Sequence, residues 1–354
     1  MSLCELYGNI PEKNSVIIIH RALLDQYTEK FFRYAKLRGS VLVYDTDDLL
    51  FDSSVEKYIS DIRSPGYAKD IKRYKQAMQL CDVILVATNF LGEKAKSFHT
   101  DVRLMRNGLA PYFIKETSCP RSNHQKCKPY VTIAYLSGSS SHDRDFLLVE
   151  DALLRLLRQY PKVKILLAGR LKFSTEFAAF GDRFEYCDFV PYEELCNLFS
   201  RIDINLVPLE TEQDFCQAKS ELKYIEAGAF GIPSVVSPTM AQKEVVSHDV
   251  NGRLVENNDW YAAIESLVNN KNLRIRLGTE AQRHVLQYYS TDKRAEQWQA
   301  LITNVWNEYG KPRRAVSTSP ESLALRANLE ITKWLQRAHI FSRRLLSNLF
   351  NTIK

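Results

Sequence analysis

Apolar runs rich in β-branched residues alternate along the chain with stretches whose apolar positions recur every three or four residues. The runs 15–20, 41–45, 82–87 and 102–105 predict strands, and the stretches 22–37 and 67–80 predict helices between them. A polar segment with two prolines, 116–129, interrupts the series and reads as a linker. Strands are predicted again at 131–136, 163–168, 202–207 and 233–237, alternating with helices over 146–160, 192–200 and 219–230. Helices over 260–268, 272–289 and 292–308 follow. Continuous apolar strands in β-α-β order indicate parallel sheets covered on both faces. The fold class is therefore α/β, with two doubly wound parallel-sheet domains and a cleft between them. The divisions are 1–115, the linker 116–129, 130–290, a closing helix over 291–310 and a basic tail over 311–354. Ligands of such sheets bind beyond the carboxyl ends of the strands, so the loops there are where chemistry is sought.

Composition narrows the class. The 354 residues are 45% hydrophobic and 25% charged, which excludes disordered, collagenous and fibrous proteins. No run approaches the roughly 20 apolar residues of a membrane span, and residues 1–11 show no signal-peptide pattern. Seven scattered Cys, none in a C-x-x-C pair, read as free thiols of a reducing, cytoplasmic setting. Cys119, His124 and Cys127 fit no zinc spacing and lack a fourth ligand.

The net charge of +6 is unevenly placed. Nine Lys/Arg against two Glu fall within 311–354, which leaves the remaining body near −1 and argues against nucleic acid as a partner. Apolar residues at 327, 331, 334, 338, 341 and 345 predict an amphipathic tail helix over 321–349, with Arg326, Lys333, Arg337, Arg343 and Arg344 on its other faces. Such a helix lies on an anionic membrane surface, or packs on the body or on a partner protein.

Three segments carry candidate chemistry. Ser137-Gly-Ser-Ser-Ser141 leaves a strand and leads into a helix. Small residues such as Gly138 and Ser139 let backbone N–H groups approach an anion, and the helix end adds about half a positive charge. His142 and Arg144 add side-chain charge; a plain Ser-capped turn is the alternative. The loop lacks the Walker lysine and G-x-G-x-x-G, which argues against an ATPase or a dehydrogenase. In the second segment, Lys219 and Ser220 at a predicted helix start suit a diphosphate, and Glu226 amid apolar residues suits two ribose hydroxyls. A capped amphipathic helix with Glu226 half-exposed is the alternative. In the third, Asp45, Asp47 and Asp48 leave the end of a strand, where a carboxylate can orient or accept a proton. Alternatively one of these aspartates caps the next segment and another pairs with Arg21. His20 at a neighbouring strand end is read as structural.

Gly169 and the run Lys219-Ser-Glu-Leu-Lys-Tyr-Ile-Glu226-Ala-Gly-Ala-Phe-Gly-Ile-Pro-Ser-Val-Val-Ser237 resemble the C-terminal nucleotide-sugar domain of glycosyltransferase family 4. Asn107-Gly108 and Val250-Asn-Gly252-Arg-Leu-Val255 resemble two further family features. The similarity spans roughly 14–310 and is specific over 219–237. It implies the GT-B fold of two Rossmann-like domains, and a metal-independent, retaining hexosyltransferase. The donor would be a nucleotide sugar and the acceptor a glycan or lipid-linked glycan, in bacterial surface polysaccharide or lipopolysaccharide biosynthesis at the inner face of the membrane. By this resemblance Glu226 matches the second Glu of the E-x7-E motif, which holds the donor ribose, and Gly138 a glycine beside the donor phosphates. No cofactor is implied.

Two departures stand out. Ala218 replaces the first motif Glu, and the Arg/Lys phosphate pair of the family is not in its usual place, leaving Lys219, His142 and Arg144 to supply that charge. The first domain is shorter than in family members by about three strands. Asp45-Thr-Asp47 also spells the D-x-D of metal-dependent enzymes of another fold, a match discounted here. A non-catalytic glycosyltransferase-like subunit, binding a partner or a glycan, is the alternative function. An epimerase acting on the free donor is a third.

Overall fold

The computed structural model describes residues 14–55, 67–117, 129–137, 143–188, 190–255 and 259–310. The tail helix expected over 321–349 lies outside the described residues, as do Gly138, Ser139 and His142, and Cys119, His124 and Cys127.

Two sheets, each wholly parallel, organise the described chain. The first holds β1 (Val16–His20), β2 (Val41–Thr46), β3 (Val83–Val86) and β4 (Val102–Leu104), side by side in chain order. The second holds β5 (Val131–Leu136), β6 (Val163–Ala168), β7 (Phe184–Cys187), β8 (Ile204–Val207), β9 (Ser234–Val236) and β10 (Arg253–Leu254). Its order is β10-β9-β8-β5-β6-β7. The strand order reverses between β8 and β5, which makes the carboxyl ends of these two strands the switch point of the second sheet. A repeated device starts strands in both sheets. An aspartate carboxylate, Asp82 in the first and Asp203 in the second, accepts the backbone N–H of Leu42 or Thr132 on the neighbouring strand at 2.8 and 2.9 Å.

The helices are α1 (Gln26–Leu37), α2 (Tyr67–Gln79), α3 (Asn89–Lys96), α4 (Pro111–Thr117), α5 (Asp143–Gln159), α6 (Leu195–Phe199), α7 (Asp214–Gln217), α8 (Leu222–Ala229), α9 (Met240–Val245), α10 (Trp260–Asn269), α11 (Lys271–Tyr289) and α12 (Thr291–Tyr309). Helix α1 starts four residues later than its apolar pattern. Asp25 and Thr28 form a capping box there: Asp25 accepts the N–H groups of Tyr27 and Thr28, and the Thr28 hydroxyl accepts the N–H of Asp25. Helix α8 also starts later than expected, at Leu222, so Lys219 and Ser220 lie in the turn before it. It ends in a Schellman turn. Gly231, at φ +64°, donates to the Gly228 carbonyl, and Ile232 donates to that of Ala227. No helix among the described residues is long and apolar enough to cross a membrane.

Among the described residues, 14–107 with 294–310 form one compact unit and 108–293 the other. The boundary therefore falls at Asn107–Gly108, ahead of the expected linker. The intervening helix α4 belongs to the second unit, where Phe113 is buried against Phe199 and Phe230. The second core stacks Ile133, Tyr135, Ile165 and Leu167 of the sheet with Phe146, Val149 and Leu153 of α5 and Ile264 of α10. Helix α12 closes the first unit: Trp298, Ile302 and Val305 share a core with Val41, Val43, Val83, Leu85 and Met105.

Candidate active site

In the second unit the chemistry gathers at the switch point. The chain leaves β5 at Ser137 and enters α5 at Asp143. Gly169, just past β6, approaches this exit so closely that a Cβ there would stand 1.8 Å from the Ser137 carbonyl oxygen; its φ of +100° also favours glycine. From α5, Asp145 is 1% exposed and accepts the Glu210 N–H at 3.0 Å and the Cys216 thiol at 3.4 Å. It thereby pins the segment after β8 to the start of α5. Arg144, exposed beside it, pairs with Glu210 at 3.2 Å.

Glu226 sits in the middle of α8, 6% exposed rather than half-exposed. The Tyr192 hydroxyl hydrogen-bonds to its carboxylate, while Oε1 is buried without a partner. Burial pushes the Glu226 carboxyl up to about 7, against the downward pull of the Tyr192 hydrogen bond and of Lys223. Tyr192 is itself held in an aromatic group with Tyr112 and Phe113. Of the expected phosphate ligands, Lys219 lies with its ammonium 4.0 Å from the Phe215 ring centroid, and Ser220 is half-buried in the same turn. Ala218, in place of an acid, is fully buried.

Lys223 was missed in the sequence. It lies three residues before Glu226, and its ammonium stands 4.7 Å from the ring centroid of Tyr135 on β5. Burial lowers it to about 8, against the upward pull of Asp145 and Glu226. The signal for it was a lysine one turn before Glu226 in an otherwise apolar helix.

The first unit brings the three aspartates into one network with the strand-end pair His20-Arg21. The register of β1 on β2 sets His20 opposite Asp45. His20 Nδ1 meets Asp45 Oδ2 at 2.7 Å, and its Nε2 lies 3.8 Å from Asp47. Arg21 forms ion pairs with Asp47 and, at 2.9 Å, with Asp48. Arg21 takes a left-handed backbone, φ +49°, with its N–H donated to the Asp45 carbonyl. Burial pushes Asp47 upward, ahead of the opposing pull of Arg21. Burial also works to lower Arg21, but Asp48 and Asp47 outweigh it and hold the guanidinium above its ordinary value. Each expected aspartate thus has a basic partner, and His20, read as structural, is 5% exposed at the centre of the network. Among the described residues no group of His, Cys, Asp and Glu is arranged to hold a metal ion.

Residues 132–270 match the family model described as glycosyl transferases group 1. Among curated proteins no sequence matches. Solved structures of similar fold include HepE from Anabaena in complex with UDP and glucose, at TM-score 0.59 and 15% identity, covering 81% of this chain and 78% of that one. Sucrose-phosphate synthase from Thermosynechococcus elongatus gives TM-score 0.58 at 17% identity, covering 83% and 74%. A glycosyltransferase from Rickettsia africae gives 0.51 at 11%, covering 82% and 98%. The fold is GT-B. The chain is similar to glycosyltransferase family 4, and the family model supports glycosyltransferase function.

Proposed function

We propose that this protein transfers a hexosyl unit from a nucleotide-sugar donor to a glycan or lipid-linked glycan acceptor, with retention and without a metal. The observation that carries the reading is Glu226: a buried carboxylate at the switch-point end of the second sheet, with one oxygen lacking a hydrogen-bond donor. Such an oxygen is costly to leave unmatched, and ribose hydroxyls would satisfy it. Arg144, Lys219 and Ser220, with Gly138, Ser139 and His142, would surround the diphosphate. Neutralising it stabilises the charge that develops on the leaving group. HepE, described with UDP and glucose, makes UDP the first donor base to try.

In the first unit, Asp45, Asp47 and Asp48 would orient the acceptor hydroxyl or the reacting sugar through the His20–Arg21 network. Surface polysaccharide or lipopolysaccharide assembly is the setting we favour, with the basic tail docking the protein on the inner face of a membrane.

The test is thermal denaturation with UDP, GDP, ADP, CMP and dTDP beside Glu226→Ala. A ligand at 100 times its Kd adds about 2.7 kcal/mol. Stabilisation by one base, lost in the variant, supports the donor site; no stabilisation by any overturns it. The buried Ala218, where the family carries an acid, favours a second reading, a non-catalytic subunit. Donor-dependent sugar transfer separates the two.

A further inference from the structure

Lys223 differs from the other cations of the switch point in resting on a residue of the sheet itself, Tyr135 of β5. Arg144 is paired with Glu210, and Lys219 rests on the Phe215 ring in the turn before α8. Lys223 is half-buried on the first turn of α8, against the face of Tyr135, itself fully buried on the strand that borders the reversal of strand order. The charged and titratable groups that face it are Asp145 from α5, Glu226 from α8, Lys219 from the preceding turn and Cys216 from α7. Among the described residues, no carboxylate lies within ion-pair distance of its ammonium. A lysine drawn out of water without a contacting anion is costly to keep. An arriving polyanion removes that cost.

We propose that Lys223 is the principal cation for the donor diphosphate in this chain, taking the place of the family's displaced phosphate pair. The inference rests on the donor reading above. Residues three apart on a helix share a face, with Cβ atoms roughly 5–6 Å apart. Lys223 and Glu226 therefore present a cation and a hydroxyl acceptor side by side, as a ribose and its diphosphate require. The buried Asp145 carboxylate behind Lys223 helps keep the ammonium protonated.

The arrangement has a pH consequence that a structural lysine would not share. Diphosphate binding favours charged Lys223, so binding above pH about 8 takes up a proton. Ribose binding favours ionised Glu226, so binding below pH about 7 releases one. Affinity is then greatest between these values and falls on both sides.

The experiment is calorimetric titration of the full chain with UDP, GDP, ADP, CMP and dTDP, then with the nucleoside of whichever binds, between pH 6 and 9.5. Lys223→Met should weaken the diphosphate about 10- to 100-fold and the nucleoside far less, as loss of a charge-assisted contact does. Lys223→Arg should retain diphosphate binding but lose the alkaline fall, because a guanidinium does not deprotonate there. Lys219→Met should lose less than Lys223→Met. The proposal is overturned if Lys223→Met binds the diphosphate as the native chain does, or if the two lysines rank in the opposite order. If Lys223→Met does not fold, an alkaline fall that persists in Lys223→Arg overturns it. Native binding that is lost in Glu226→Gln but kept in Lys223→Met removes Lys223 alone. No binding of any nucleotide by the native chain removes the donor reading, and this inference with it.

Discussion

The α-carbon of Gly169 faces the carbonyl oxygen of Ser137 so closely that a methyl group between them would stand 1.8 Å from that oxygen. Gly169→Ala is expected to cost about 3 kcal/mol or more, from a left-handed backbone and a backbone clash together. Gly181, at φ +58° with open space around it, supplies the comparison. Gly181→Ala should cost only the backbone share, about 1–3 kcal/mol, because φ +58° with ψ −128° is a conformation that suits glycine almost alone. Urea denaturation of the two variants measures the difference, and equal losses would remove the clash from the account.

Glu226 should make the empty protein less stable as pH rises. Its folded-state value of about 7 lies above its ordinary 4.5, so between these values the folded state holds more protons than the unfolded one. Stability therefore falls with rising pH through this window, by at most about 3 kcal/mol. Glu226→Gln should flatten that fall and leave the variant more stable than the native chain at pH 8, while losing nucleotide binding. Denaturation midpoints at pH 5, 6, 7 and 8 check both the sign and the size.

Arg21 balances two carboxylates at once. Arg21→Met leaves Asp47 and Asp48 together without their cation, and should cost about 2–3 kcal/mol at neutral pH, discounted because the guanidinium is 30% exposed. The unbalanced carboxyls would then titrate upward, so the loss should shrink as pH falls toward 5. A loss that does not change with pH would mean that packing, not charge, is what Arg21 supplies. Asp45→Asn addresses the other half of the network. His20 would lose its ionised partner, and sugar transfer should fall with little change in donor affinity.

Trp298 is 5% exposed within the core it shares with Val41, Val43, Val83 and Leu85. Trp298→Ala should cost about 3–5 kcal/mol, and the loss should be confined to the first unit. Amide hydrogen exchange should show β1–β4 opening more readily while β5 and β6 keep their protection. Equal loosening of both sheets would mean that the units do not respond separately.

The strands were the most legible part of the sequence, because parallel strands buried on both faces are largely apolar; β3 is wholly so, and β2, β5 and β6 are interrupted only by one or two polar residues each. β7 was not legible. It is only partly buried, and Glu185 within it pairs with Lys164 and Arg201, so its sequence alternates weakly. Helix α3 is short and depends on a Thr88 cap more than on a long apolar stripe. Composition marks where a chain is polar, whereas the division into compact units follows which core Phe113 joins. Glu226 stood out by resemblance. Lys223 did not, since its meaning lies in Tyr135 and Asp145, both far away in sequence. The pairing of an aspartate with Arg21 was among the readings of the sequence, whereas that of His20 with Asp45 needed the register of β1 on β2, which no local pattern specifies.

Because the first unit draws on both 14–107 and 294–310, its order of synthesis is not its order of completion. A ribosome makes β1 to β4 early, but the helix that covers Val41, Val83 and Leu85 emerges only after the whole of 108–293. Domains usually fold as they emerge, the earliest first. Here the later, uninterrupted unit can finish before the earlier one. Until then the nascent chain carries an apolar sheet face that α12 has yet to cover.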